Sequence, residues 1–160
     1  MNRRLIRYEQ DAETLLEMHR HSWRINFPGR RFDAGVFCLS LQASAERGEI
    51  YVYEEDGEIA AWLWLGFPTQ GTAHIRHVQV AEDRWGQGLG RRAMRDAISL
   101  TLARDCRTLT LVVTKSNARA MALYRSLTFV VDRDEGERQC MRLDLVGSRI
   151  LTGEAWPADN

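Results

Sequence analysis

Two rhythms of apolar residues alternate along this chain, and they divide it into strands and helices. "RRLIRY" (3–8) reads as a short first strand. "DAETLLEMHRHSW" (11–23) repeats its apolar positions at helical spacing, with Leu15, Leu16 and Met18 among them and Asp11 as the expected cap. "RINFPGRRF" (24–32) carries the Pro-Gly punctuation of a loop. A second helix is expected over 33–48, capped by Asp33 and stopped near Gly48. "EIYVYEE" (49–55) and "EIAAWLWLGF" (58–67) are rich in β-branched and aromatic residues and flank Asp56-Gly57, a strong hairpin turn. "AHIRHVQV" (73–80) is a third strand whose alternation breaks. Ile75 and the Val78/Val80 pair fall on opposite parities, and a bulge near His77 reconciles them.

The later part continues in the same way. A helix pattern runs from Gly88 to about Asp105, with Leu89, Ala93, Ala97 and Leu100 on one face. "TLTLVVT" (108–114) is a strand. "NARAMALYRSL" (117–127) is a helix whose stripe is Ala120, Leu123, Tyr124 and Leu127. "FVVDR" and "RQCMRLDL" form an antiparallel pair around "DEGE". The order β-α-α-β-β-β-α-β-α-β-β mixes strands and helices without strict alternation. It predicts an α+β fold in which one mostly antiparallel sheet is flanked by helices. One domain is expected over 1–146, followed by a tail, 147–160, that loses periodicity.

Composition narrows the field only a little. With 22 basic and 22 acidic residues the formal net charge is zero, which lacks the basic excess of a nucleic-acid binder. No apolar run reaches the length of a membrane span or a signal peptide. Cys38, Cys106 and Cys140 form no CxxC or Cys/His metal spacing, so reduced thiols in a cytoplasmic protein and no metal are expected.

Chemistry first surfaces in "RWGQGLGRR" (84–92), where three glycines lead from a strand into a helix. Backbone N–H groups at a helix start, with the helix dipole behind them, bind anionic oxygens, and glycines let a ligand approach that backbone. The GxxxxGK[ST] loop is absent, and Arg91 stands where a dinucleotide fingerprint needs its third glycine. About thirty residues later comes "SNARAMALYRSLTF" (116–129).

Together with "VQVAEDRWGQGLGRRAM", that segment strongly resembles the GNAT superfamily of acetyl-CoA-dependent N-acetyltransferases. The likeness covers roughly residues 49 to 143. It implies a splayed sheet that admits the pantetheine arm of acetyl-CoA between strands 73–80 and 108–113. Val78, Gln79 and Val80 would present backbone groups to that arm. Gly86, Gln87, Gly88, Leu89, Gly90 and Arg91 would cradle the pyrophosphate. Asn117 would contact the cofactor arm, with helix capping as its other role. Tyr124 would sit near the sulfur and return a proton to the leaving thiolate. Two positions depart from the family pattern. Trp85 stands where Arg or Gln is common, and Thr128 replaces the glycine that ends the second motif's helix in a left-handed turn.

The implied reaction is direct attack of a primary amine on the thioester through a tetrahedral intermediate, its oxyanion held by an amide near Val78 or Gln79. The branch that acetylates ribosomal protein N-termini carries a glutamate where this chain has Val112, which weakens the likeness to that branch and leaves the proton to another side chain or to a water relay. His77 leads the candidates because it sits at the expected bulge and titrates near neutrality; His74, Glu54 and Glu55 follow. Acceptor specificity is expected from loop 24–32, with Arg24, Arg30 and Arg31, and from turn 132–138, with Asp132, Asp134, Glu135 and Glu137. Their mixed charge leaves the acceptor open between a small molecule and a peptide or protein amine. A non-catalytic acyl-CoA sensor is the reading from another class. The last strand and the tail are candidate surfaces for a homodimer.

Overall fold

The computed structural model describes residues 2–145; the expected tail lies outside the described residues. The elements follow in the order β1 (Asn2–Leu5), α1 (Tyr8–Asn26), α2 (Ala34–Glu46), β2 (Ile50–Glu55), β3 (Glu58–Thr69) and β4 (Thr72–Val80). After a single 3-10 turn (Glu82–Arg84) come α3 (Leu89–Ala103), β5 (Thr108–Thr114), α4 (Ala118–Ser126), β6 (Val130–Glu135) and β7 (Arg138–Asp144). The seven strands form one sheet in the order β1-β2-β3-β4-β5-β7-β6. Every neighbouring pair is antiparallel except β4 with β5. The α+β architecture read from the sequence is the one observed.

Strand alternation sorts the core into two layers. Ile50, Val52, Trp62 and Trp64 point to one face, where α1 and α2 bring Leu15, Phe37 and Leu41. Tyr51, Tyr53, Leu63 and Leu65 point to the other, where α3 and α4 bring Met94, Ile98, Met121 and Tyr124. Because β2 and β3 are covered on both sides, their residues read as nearly continuous apolar runs. Each large side chain sealed in this way contributes about 1.5–3 kcal/mol. The β2–β3 hairpin turns through Asp56 and Gly57, with φ of 53° and 83°, the pair of positive angles that a two-residue turn of this hand requires.

Three expected boundaries move. The first strand ends at Leu5, and α1 begins at Tyr8, a turn earlier than expected. Asp11 is therefore not the N-cap. Its carboxylate reaches back from the first turn to accept the Arg7 N–H at 2.6 Å and pairs with Arg4 at 2.7 Å, which holds the earlier turn in place. Helix α1 also runs on through Asn26, into the segment expected to be a loop. Asp33 does cap α2, accepting the Val36 N–H at 3.0 Å.

The sheet opens at β4. This strand pairs with β5 only from Thr72 to Ile75, matched with Thr108 to Leu111. Along the other edge, Trp64 faces His77 and Leu65 faces Ile75, so Arg76 is the extra residue of a bulge. The bulge puts Ile75, Val78 and Val80 on the same α3-facing layer, as their mixed parity requires. Beyond it β4 leaves β5, which goes on to pair with β7 along its full length.

Candidate active site

Which backbone groups look into the opening follows from the hydrogen bonds on either side of β3. The Leu65 N–H reaches the Glu49 carbonyl, just before β2, at 2.8 Å, and the Ala81 N–H reaches the Ala60 carbonyl on β3 at 2.9 Å. A strand's N–H and C=O groups switch sides at every residue. Gln79 therefore turns its backbone toward β3, while Val78 and Val80 turn theirs toward the gap. The Val80 carbonyl confirms this by accepting the Trp85 indole N–H at 3.0 Å.

Gln79 acts through its side chain instead. Its Oε1 accepts the Trp62 indole N–H at 3.2 Å, and its Nε2 donates to the Met18 carbonyl at 2.7 Å. Those two partners fix the amide's orientation, because an indole only donates and a carbonyl only accepts. The same Oε1 lies 3.1 Å from Nε2 of His77, which must therefore carry the proton and leave Nδ1 as the basic nitrogen. Burial lowers His77 to a pKa of about 4, with the Gln79 bond opposing part of the shift. Its ring centroid stands 4.5 Å from that of His19, which burial and His77 together lower to about 3. Both imidazoles are neutral at pH 7.

The glycine-rich turn forms a concavity of backbone amides, a shape suited to an anion. Gly86 and Gly88 adopt left-handed φ of 78° and 77°, on either side of Gln87. Such alternation aims successive N–H groups into one concavity. Gly88 is the N-cap of α3 and offers no side chain to its first turn. The amides from Gly86 through Leu89 and Gly90 thus meet at a helix start without an intrahelical acceptor. Gly90 sits inside the first turn, where an added Cβ would meet Leu123 Cδ2 at 3.4 Å and Val80 Cγ2 at 3.8 Å. Arg91 reaches Ser126 Oγ on α4 at 3.0 Å.

Asn117 caps α4, its Oδ1 accepting the Ala120 N–H at 3.1 Å. Its Nδ2 donates to Asn26 Oδ1 at 3.3 Å, which ties the start of α4 to the end of α1. Tyr124 lies one face of α4 further on, 8 % exposed, with its ring 6.0 Å from Phe129. Desolvation pushes its phenol up to about 12, so it keeps its proton throughout the neutral range.

Two cavities meet at these residues. One, of about 540 Å³, runs from Tyr124 along Val78 and Val80 to Gly86, Gly88 and Gly90. The other, of about 390 Å³, runs from Tyr124 past His77 and Arg76 to Phe27 and Arg138. Ser22, Asn26, Val78, Asn117, Ala120 and Tyr124 line both. Both volumes lie in the usual range for small-molecule sites. A third hollow of about 340 Å³ adjoins the second and is walled by Phe27, Arg30, Glu135, Glu137 and Arg138.

The expected site residues thus divide. Val78, Gln79, Val80, Gly86, Gly88, Leu89, Gly90, Asn117 and Tyr124 surround the larger cavity, and His77 lines the smaller. Glu54 is taken up by Arg4 and Glu55 by Arg84, while His74 Nδ1 lies 2.7 Å from Thr110 Oγ1. Of the charged residues expected to face the acceptor, Arg30, Glu135 and Glu137 line a cavity; Asp134 is held by Lys115. The sequence reading did not name Ser22, and it covered Asn26 and Arg138 only as members of the acceptor segments 24–32 and 132–138. Ser22 and Asn26 are four residues apart on α1, with Asn26 Nδ2 bonded to the Ser22 carbonyl at 2.9 Å, so a polar pair at helical spacing was the available signal.

The family model of the acetyltransferase (GNAT) family matches residues 12–129. The chain belongs to this family of acetyl-CoA-dependent N-acetyltransferases. Solved structures agree in fold. The yncA protein of Salmonella typhimurium, solved with acetyl-CoA as its cofactor, is 20% identical with a TM-score of 0.75, over 92% of this chain and 95% of that one. The PaiA N-acetyltransferase of Thermoplasma acidophilum, in complex with coenzyme A, is 16% identical with a TM-score of 0.76, over 89% and 98%. The ribosomal-protein-S18-alanine N-acetyltransferase of Escherichia coli is 21% identical with a TM-score of 0.71, over 92% and 95%. No curated protein matches the chain in sequence.

Proposed function

We propose that this acetyltransferase moves an acetyl group from acetyl-CoA to a primary amine of a small molecule, with the two substrates approaching Tyr124 from opposite cavities. The observation that carries this reading is the shared lining of those cavities: Val78, Asn117 and Tyr124 belong to both. Acetyl-CoA supplies the activated acyl thioester. The amides of Gly86 to Gly90 suit its pyrophosphate, and the gap-facing amides of Val78 and Val80 suit its arm as a neighbouring strand would.

This chain's residues then have distinct tasks. The Val78 N–H, fixed in the open edge of β4, donates to the oxygen that gains charge during attack, at no cost of reorganisation. Tyr124, protonated across the neutral range, donates its hydroxyl proton to the departing sulfur. Gln79 holds β4 to α1 and sets the tautomer of His77. At about 4, His77 holds a proton only fleetingly, so it passes the amine's proton on toward solvent rather than storing it.

The test is release of free thiol from acetyl-CoA with a panel of amines. Tyr124→Phe should lower kcat by about 10²- to 10⁴-fold while leaving KM for acetyl-CoA nearly unchanged. Equal kcat in both proteins would remove Tyr124 from this role. If acetyl-CoA raises the melting temperature but no amine releases thiol, the sensor reading replaces the enzymatic one.

A further inference from the structure

The smaller cavity has a one-sided charge. Arg30, Arg76 and Arg138 line it, and no aspartate or glutamate does so among the described residues. Its two histidines are held neutral by burial. Arg30 is partly answered by Glu137 at 3.7 Å, an exposed pair of little strength. Glu135, in the adjoining hollow, is already held by Arg133 at 2.7 Å. Arg76 lies over the Trp64 ring, 4.4 Å from its centroid.

Arg138 is the exceptional member. It opens β7 opposite Thr114 and borders both the 390 Å³ cavity and the hollow beside it. Its guanidinium stands 5.2 Å from the Phe27 ring centroid. It forms no ion pair among the described residues, and its Nε is buried without a hydrogen-bond partner. A buried cationic N–H left without any partner is costly, and native proteins seldom leave one without protein, water or ligand to answer it. The guanidinium lies over the Phe27 ring, and its Nε–H is left unanswered. A planar fork of donors matches a carboxylate. The walls beside it, Trp23 and Phe27, are aromatic.

Building on the acetyltransferase reading, we infer that the acceptor is an amino-acid-like small molecule, carrying a free carboxylate beside its amine and an apolar side chain, and that Arg138 anchors the carboxylate. The anchor holds the amine at the Tyr124 end of the cavity. A polyamine or a lysine-rich peptide meets three arginines there, and a peptide N-terminus lacks the carboxylate.

The experiment compares kcat/KM in thiol release for phenylalanine and leucine, their carboxamides, the corresponding decarboxylated amines, and cadaverine. The free acids should exceed their carboxamides at least about tenfold. This preference runs against the lower amine pKa of the carboxamides, so it cannot come from nucleophile protonation. Arg138→Gln should pull the acids down toward the carboxamides, and Arg138→Lys should retain part of the preference. The wild-type ratio stands even if a variant folds poorly. Carboxamides or cadaverine turned over as well as the acids would overturn the inference and leave the acetyltransferase reading intact. So would an acid preference that survives intact in a folded Arg138→Gln protein. No thiol release with any amine would remove both.

Discussion

Thr128 shows how a single residue can carry strain in a site that still forms. It follows the last turn of α4 with φ of 65°, a left-handed backbone that a β-branched residue resists. The turn is nonetheless complete: the Phe129 N–H reaches the Tyr124 carbonyl at 3.1 Å, and the Thr128 N–H reaches the Arg125 carbonyl at 3.0 Å. Thr128→Gly should therefore stabilise the protein by about 1 kcal/mol, the relieved strain exceeding the entropy that glycine adds to the unfolded chain. Calorimetry should register a rise of about 2–4 °C. An unchanged or lower melting temperature would mean that the threonine is unstrained. Much at this scale was legible in the sequence. Asn117 and Tyr124 stood out in their motif, and Thr128 by its departure from it. The backbone direction of Gln79 was not legible, because it depends on the partners of β3 rather than on its own neighbours.

At the scale of elements, β4 and α3 together make the open edge. The bulge at Arg76 was readable because the apolar parity of "AHIRHVQV" fits no regular strand. The start and end of α1 were not readable. The reach of Asp11 back to Arg7, and the extension of the helix through Asn26, are settled by Arg4 on β1 and by Asn117 at the cap of α4. The α3 cradle has its own test. At Gly88 an added Cβ meets nothing within 4 Å, so Gly88→Ala acts through its φ of 77° alone. The backbone should relax and turn the cradle's amides aside, raising KM for acetyl-CoA about tenfold with little effect on kcat. An unchanged KM would show that the pyrophosphate binds elsewhere.

Across the whole molecule, the packing of α1 on the sheet ties stability to pH. His19 and His77 face each other across that interface with pKa values lowered to about 3 and about 4. The unfolded chain takes up protons below 6.5 that the native protein refuses, so stability is complete above 6.5 and falls as the pH drops. By about pH 5, still above the ordinary carboxylate range, the loss should reach about 2 kcal/mol for each histidine. Melting curves between those limits should slope, and His77→Gln should flatten them. None of this was visible in the sequence, where the two residues are distant and their common desolvation leaves no local mark. The same holds for the Asn26–Asn117 bond, which joins α1 to α4 at the place where the two cavities meet. That junction has a consequence for the order of events. On the proposed reading, donor and acceptor have separate approaches that meet at Tyr124. Both would then be bound together, and the acyl group would pass directly from one to the other.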